Sequence, residues 1–204
     1  MSILEYNGGC VVAMAGKNCV AIASDKRLGV QLSTIAMDCN RVFRMTDSLY
    51  LGLTGLHSDV TTLHNLFNYK LNLYAMREGR VIKPTTFASL VSSTLYEKRF
   101  GPYFAEPVIA GLQPDGTPFL CAMDLLGAMA VADDFVVSGT CAESLFGTCE
   151  TFYRKDMNPD ELFETLGQSL MAALDRDCIS GWGVDVQIIT KEGVTTKSLK
   201  ARMD

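Results

Sequence analysis

Gly8-Gly9-Cys10-Val11-Val12-Ala13-Met14, followed by Cys19-Val20-Ala21-Ile22-Ala23-Ser24-Asp25-Lys26-Arg27, decides the reading of this chain. Both stretches are short apolar runs, strand-sized rather than helix-sized. They predict two adjoining strands, 10–15 and 19–24, at the very start of the sequence. Working outward, strands are predicted over 32–38, 42–45 and 49–53, the last two joined by the turn Thr46-Asp47-Ser48.

A long helix follows, with Ser58 as its expected N-cap. Val60, Leu63, Phe67, Leu71 and Tyr74 recur at helical spacing, and Gly79 stops the run. Pro84 opens a second helix to about Lys98, with Phe87, Val91 and Leu95 on one face. Strands return at 107–112 and 118–123 around Gln113-Pro114-Asp115-Gly116, then near 128–132 and 134–137. A third helix is predicted over 141–154. The fourth has Asn158 at the N-cap, Pro159 at its first position and Glu161 closing a capping box. Its apolar face is Leu162, Leu166, Leu170 and Leu174. Residues 184–190 and 194–199 end the pattern as a hairpin around Lys191-Glu192-Gly193.

Strands, two helices, strands, two helices and strands can bury every apolar face in one arrangement. Two sheets pack face to face with a helix pair outside each, an α+β fold forming a four-layer αββα sandwich. No linker or repeat interrupts residues 1–204, so a single domain is expected. A parallel βαβ sheet fits poorly, because hairpin turns outnumber crossovers.

The composition narrows the function classes. A net charge of -5 argues against a nucleic-acid binder, which needs a basic face. No Lys/Arg run marks a membrane surface, and no apolar stretch reaches spanning length. The N-terminus lacks the basic region and apolar core of a signal peptide, so an intracellular protein is expected. Cys10, Cys19, Cys39, Cys121, Cys141, Cys149 and Cys178 form no CxxC pair. They read as free thiols in a reducing compartment, with neither a metal nor another cofactor expected. His57 and His64, seven residues apart, read as surface or satisfied histidines.

In one class of hydrolases, cutting after a glycine exposes a strand like the first one here. The freed residue becomes the nucleophile and its own amine the base. The residue after Gly8 is Gly9, which has neither hydroxyl nor thiol. The surroundings of a site are present and the reactive atom is missing.

The order of motifs resembles the proteasome beta-type subunits, which share the N-terminal nucleophile hydrolase fold. The carriers are Gly8-Gly9, Ala23-Ser24-Asp25-Lys26-Arg27, Thr54-Gly55-Leu56, Val136-Val137-Ser138-Gly139-Thr140 and Asp175-Arg176-Asp177-Cys178-Ile179-Ser180-Gly181. Residues 96–103, 106–112 and the C-terminal 199–204 are similar to the third, non-catalytic beta type in particular. By this resemblance the family's threonine nucleophile falls on Gly9, its acidic partner on Asp25 and its lysine on Arg41. Supporting polar groups fall on Ser138, Asp177 and Ser180. An arginine cannot release a proton near neutral pH, so these residues are expected to be scaffold. The pairing of Arg41 with Asp25 is expected to tie two strands together.

The resemblance further implies a structural subunit of a 20S core particle, in cytoplasm and nucleus, with neighbouring beta-type and alpha-type subunits as partners. The whole particle would degrade unfolded, usually ubiquitin-tagged proteins, and residues 124–128 would help wall a neighbour's substrate pocket. Three readings compete locally. Cys10 would be a competent N-terminal nucleophile if freed, but strand alternation turns it away from the face of position 9. Asp133-Asp134 reads as a turn or subunit contact rather than a metal pair, since adjacent strand residues point apart. Ser180-Gly181-Trp182-Gly183 reads as a tight turn, with Trp182 suited to a subunit interface.

Overall fold

The computed structural model describes residues 2–203. Met1 and Asp204, the two limits of the expected domain and, for Asp204, the end of the C-terminal motif, lie outside the described residues. The chain starts with a one-turn 3-10 helix, Ile3–Glu5. The strands that follow are β1 (Cys10–Gly16), β2 (Cys19–Asp25), β3 (Leu28–Val30), β4 (Ser33–Ala36), β5 (Val42–Thr46) and β6 (Leu49–Gly55). Helices α1 (His57–Glu78) and α2 (Pro84–Tyr96) come next, then β7 (Ala105–Leu112), β8 (Pro118–Met123), β9 (Met129–Ala132) and β10 (Phe135–Gly139). Helices α3 (Ala142–Phe152) and α4 (Pro159–Leu174) precede the final hairpin, β11 (Val184–Thr190) and β12 (Val194–Leu199).

Two five-stranded antiparallel sheets result, ordered β10-β1-β2-β11-β12 and β5-β6-β7-β8-β9, with β3-β4 as a separate ribbon. Strand alternation sorts the side chains of β1 and β2 into two layers. Cys10, Val12, Met14, Cys19, Ala21 and Ala23 face α3 and α4, beside Leu162, Leu166 and Leu170. Val11, Ala13, Val20 and Ile22 face the second sheet, meeting Val108, Ala110 and Leu120. On that sheet's far side Leu49, Leu51 and Leu53 meet Phe67, Phe87 and Leu95 of α1 and α2. Each fully buried leucine or phenylalanine here contributes roughly 1.5–3 kcal/mol from area burial. These three cores make the four layers, helices, sheet, sheet, helices, that the element order predicts.

The local departures have physical causes. The strand expected over 32–38 is the shorter β4, and its partner β3 was not anticipated. Gln31 turns between them at a φ of 54°, a left-handed conformation that hydrophobic patterning does not report. Helix α1 begins at His57, so Ser58 lies inside it and is not the N-cap. Leu56 holds that position without a side-chain bond, and Asn7 Oδ1 accepts the His57 N–H instead at 2.9 Å. The cap is tertiary and therefore invisible to a local reading. At its other end α1 stops where Gly79 takes a left-handed φ of 63°. Helix α4 starts as read: Pro159 is the first residue and the Asn158 N–H donates to Glu161 Oε2 at 3.1 Å.

Candidate functional site

Gly9 lies immediately before β1, at the end of the strand that pairs Cys10 with Gly139 of β10. Its φ of 111° is a conformation that residues with a side chain rarely adopt. A Cβ built on Gly9 would collide with Nε and Cζ of Arg41. The guanidinium therefore fills the volume in which a nucleophile at position 9 would sit. This is the point at which the chain's chemistry is decided.

Arg41 is held there from every side. Nη1 lies 3.0 Å from Asp25 Oδ1, with only 5% of the Arg41 side chain and 0% of Asp25 exposed. Nη1 also donates to the Asp25 carbonyl at 3.2 Å, and Nη2 to the Gly8 carbonyl at 3.1 Å. A further bond runs from Nη2 to the Arg27 carbonyl. Asp25 in turn accepts the Cys10 N–H on Oδ1 at 3.0 Å, and those of Gly181 and Arg27 on Oδ2 at 3.0 and 3.3 Å. Burial pushes its carboxyl up from the ordinary range, against the pull of Arg41 and these N–H donors toward the charged form. A carboxylate this occupied is a tie between β1, β2 and the loop after α4.

Asp177 and Ser180 form a second group on the other side of Gly9. Ser180 Oγ and Thr140 Oγ1 both donate to Asp177 Oδ2 at 2.6 Å, and the Thr140 N–H donates to the Gly9 carbonyl at 3.1 Å. Ser138 is not part of either group. It pairs with Val11 and turns toward the second sheet, where its Oγ lies 2.6 Å from Thr54 Oγ1 and donates to Glu106 Oε2 at 3.1 Å. Of the six positions singled out in the sequence, five surround one backbone point and Ser138 belongs to a neighbouring cluster.

Four participants escaped the sequence reading as site residues. Thr140 and Thr54 stand inside motifs already quoted, so their hydroxyls were within reach of it. Arg27 is 1% exposed and donates to Thr34 Oγ1, the Ile179 carbonyl and the Gln31 carbonyl at 2.9–3.1 Å. No pattern signals a buried arginine bonded to carbonyls. Asn7 gave no signal either, because its partners lie far along the chain.

Cys10 is fully buried on the helix side, and burial, then Cys141, push its thiol well above the ordinary value. The face-parity argument against it holds. Asp133 and Asp134 lie in the bend between β9 and β10, where Asp134 Oδ1 accepts the Phe135 N–H at 2.7 Å. Trp182 itself takes a φ of 63°, between Gly181 and Gly183, also at positive φ. Asp124 closes its own turn, accepting the Leu126 and Ala128 N–H groups at 2.9 and 2.8 Å. His64 stacks on Phe43 with ring centroids 4.1 Å apart, its Nε2 2.9 Å from Asn68 Nδ2, and the His57 backbone N–H is bonded to Asn7. Among the described residues no three His, Cys, Asp or Glu side chains gather as a metal site.

Two cavities flank the site. One of about 350 Å³ is lined by Leu4, Glu5, Thr54, Glu106 and Thr140, the other of about 450 Å³ by Asp177, Ser180, Trp182 and Arg202. A wider one, about 840 Å³, lies among the turns at Ser48, Gln113 and Glu192, at the other end of β6 from Thr54.

Two sheets between two helix pairs, with a glycine opening an inner strand beside Asp25, define an N-terminal nucleophile hydrolase-like α+β sandwich. The family described as Proteasome subunit matches residues 5–189, and the chain belongs to that family. Over 204 residues and the whole of both chains it is 59% identical to the proteasome subunit beta type-3 of Picea mariana and 59% to the probable proteasome subunit beta type-3 of Schizosaccharomyces pombe. Over 205 residues it is 54% identical to the proteasome subunit beta type-3 of Drosophila melanogaster. Within the family the resemblance is thus to the beta type, and to its third kind.

Proposed function

We propose that this chain is a beta-type subunit with no peptidase chemistry of its own, serving to build the beta ring and chamber of a 20S core particle. The observation that carries this reading is the Arg41 guanidinium lying where a side chain at position 9 would project. Without a hydroxyl or thiol there, the α-amine of a cut chain would have no nucleophile to activate. Asp25, Arg41, Ser138, Asp177 and Ser180 then act as ties between strands and loops. Neighbouring beta-type and alpha-type subunits are the partners, unfolded and ubiquitin-tagged proteins the substrates of the particle, and cytoplasm and nucleus its location.

The test is the intact mass of this chain from the natively purified complex, taken before and after treatment with an electrophile that labels N-terminal threonines. Retention of residues 2–9 with no added label supports the reading. A chain starting at Gly9 or Cys10, or one carrying label, refutes it.

A further inference from the structure

Residues 2–8 are folded onto the body beside Gly9 rather than trailing from it. The 3-10 turn caps itself, the Leu4 N–H donating to Ser2 Oγ at 3.4 Å and the Ser2 N–H to Glu5 Oε2 at 2.9 Å. Ser2, Leu4 and Glu5 form one wall of the 350 Å³ cavity, and Thr54, Gly139 and Thr140 another. Beyond this turn the segment is bonded at successive points. The Gln31 N–H donates to the Tyr6 carbonyl at 2.8 Å and the Gly29 N–H to the Asn7 carbonyl at 3.3 Å. Arg41 Nη2 grips the Gly8 carbonyl.

Asn7 is the centre of this arrangement and is only 8% exposed. Its Nδ2 donates to the Gly29 carbonyl at 2.8 Å while its Oδ1 accepts the His57 N–H at 2.9 Å. One carboxamide thus satisfies an acceptor on β3 and a donor at the start of α1, two groups that otherwise lack each other. A carboxamide has the donor and acceptor of a peptide group, so it fits a gap between two backbone groups as a peptide unit would. The β3-β4 ribbon has only two strands, which are marginal alone, so its order depends on what holds it from outside. Arg27 holds it at Thr34 and Gln31; the segment holds it at Gly29 and Gln31.

We infer that residues 2–8 are a built-in strap, fastened by the Asn7 carboxamide, which walls the cleft beside Gly9 and orders the β3-β4 ribbon and the first turn of α1. Withdrawing the strap leaves the backbone groups of Gly29, Gln31 and His57 unpaired together, and open to any other peptide. The inference does not depend on whether the chain has peptidase chemistry, since it concerns what holds the ribbon and the start of α1.

The test uses hydrogen exchange on the purified complex containing this chain, with a variant lacking residues 2–7 and a full-length Asn7→Asp variant. Asp keeps the shape of Asn but loses the donor to the Gly29 carbonyl. In the deletion, exchange at the Gly29, Gln31 and His57 amides rises at least about tenfold, and a synthetic peptide of residues 2–8 restores protection. The same peptide with alanine at the Asn7 position restores it at least about tenfold less effectively. In Asn7→Asp the Gly29 amide exchanges faster, because a carboxylate now faces the Gly29 carbonyl, whereas the His57 amide, which keeps a side-chain oxygen acceptor, and the interior Leu53 amide, bonded to the Arg41 carbonyl, do not. Unchanged exchange at Gly29 in Asn7→Asp overturns the strap, even where the deletion does not assemble. Failure of the peptide to restore protection overturns it as well.

Discussion

Asp25 and Arg41 form the one fully buried ion pair among the described residues, and both are tied to backbone as well as to each other. A buried charge without its partner is far costlier than the pair is worth. Asp25→Asn leaves the guanidinium without a counter-charge and is expected to cost about 3–5 kcal/mol. Arg41→Met costs less than that, because Asp25 keeps three N–H donors and can take up a proton. The double variant is expected to be more stable than the sum of the two losses allows, by at least about 1 kcal/mol. Urea unfolding of the four proteins measures this coupling, and strict additivity would contradict it.

Restoring a nucleophile is the second expectation. Gly9→Thr places a β-branched side chain against Arg41 and at a φ of 111°. Overpacking and a strained backbone each cost on the order of 1–3 kcal/mol, so the variant is destabilised by about 2–5 kcal/mol. It gains no peptidase activity, because the Arg41 guanidinium occupies the space that the threonine hydroxyl needs beside its own amine. Gly9→Thr combined with Arg41→Lys relieves part of the steric loss. Peptide hydrolysis by Gly9→Thr alone, above the level of the unaltered complex, would show that Arg41 does not block the position.

Much of this fold was legible because the long elements carry their own signals. Leu162, Leu166, Leu170 and Leu174 mark the buried face of α4, and all four are buried. The αββα layering follows from element order alone. What could not be read were contacts that join distant segments: Asn7 to His57, Arg27 to Ile179, Thr140 to Asp177. Gly9, Asp25 and Arg41 were found by resemblance to a family. Spacing alone would not have brought residue 41 to residue 9, since two strands and a ribbon intervene.

The two helix caps read from sequence separate cleanly as a third expectation. Asn158 stands at the N-cap of α4, in reciprocal contact with Glu161, whereas Ser58 lies within α1. Asn158→Ala is expected to lower stability by about 1 kcal/mol. Ser58→Ala is expected to change it by less than about 0.5 kcal/mol, since alanine favours the helix interior. Thermal melting of the two variants beside the unaltered protein decides the matter. Equal losses would mean that Ser58 caps α1 after all.

The buried thiols give the chain an alkaline limit. Burial pushes Cys149 up to about 12 and Cys121 up to about 11, from an ordinary value of 9.0. Both side chains are fully buried, Cys149 under α4 and Cys121 under α1 and α2. A pKa raised in the folded state means that the neutral thiol favours folding and that its contribution is fully present below pH 9. Above that pH the unfolded chain ionises while the folded chain cannot. Stability then falls by up to about 1.4 kcal/mol per pH unit for each thiol, until the pH passes the folded-state value. Cys149→Ala removes one of these slopes and, below pH 9, costs about 1 kcal/mol for the lost sulfur. Urea midpoints taken from pH 8 to pH 11 are therefore expected to converge, the unaltered protein losing stability faster than the variant. Parallel curves would mean that Cys149 ionises as readily in the folded chain as in the unfolded one.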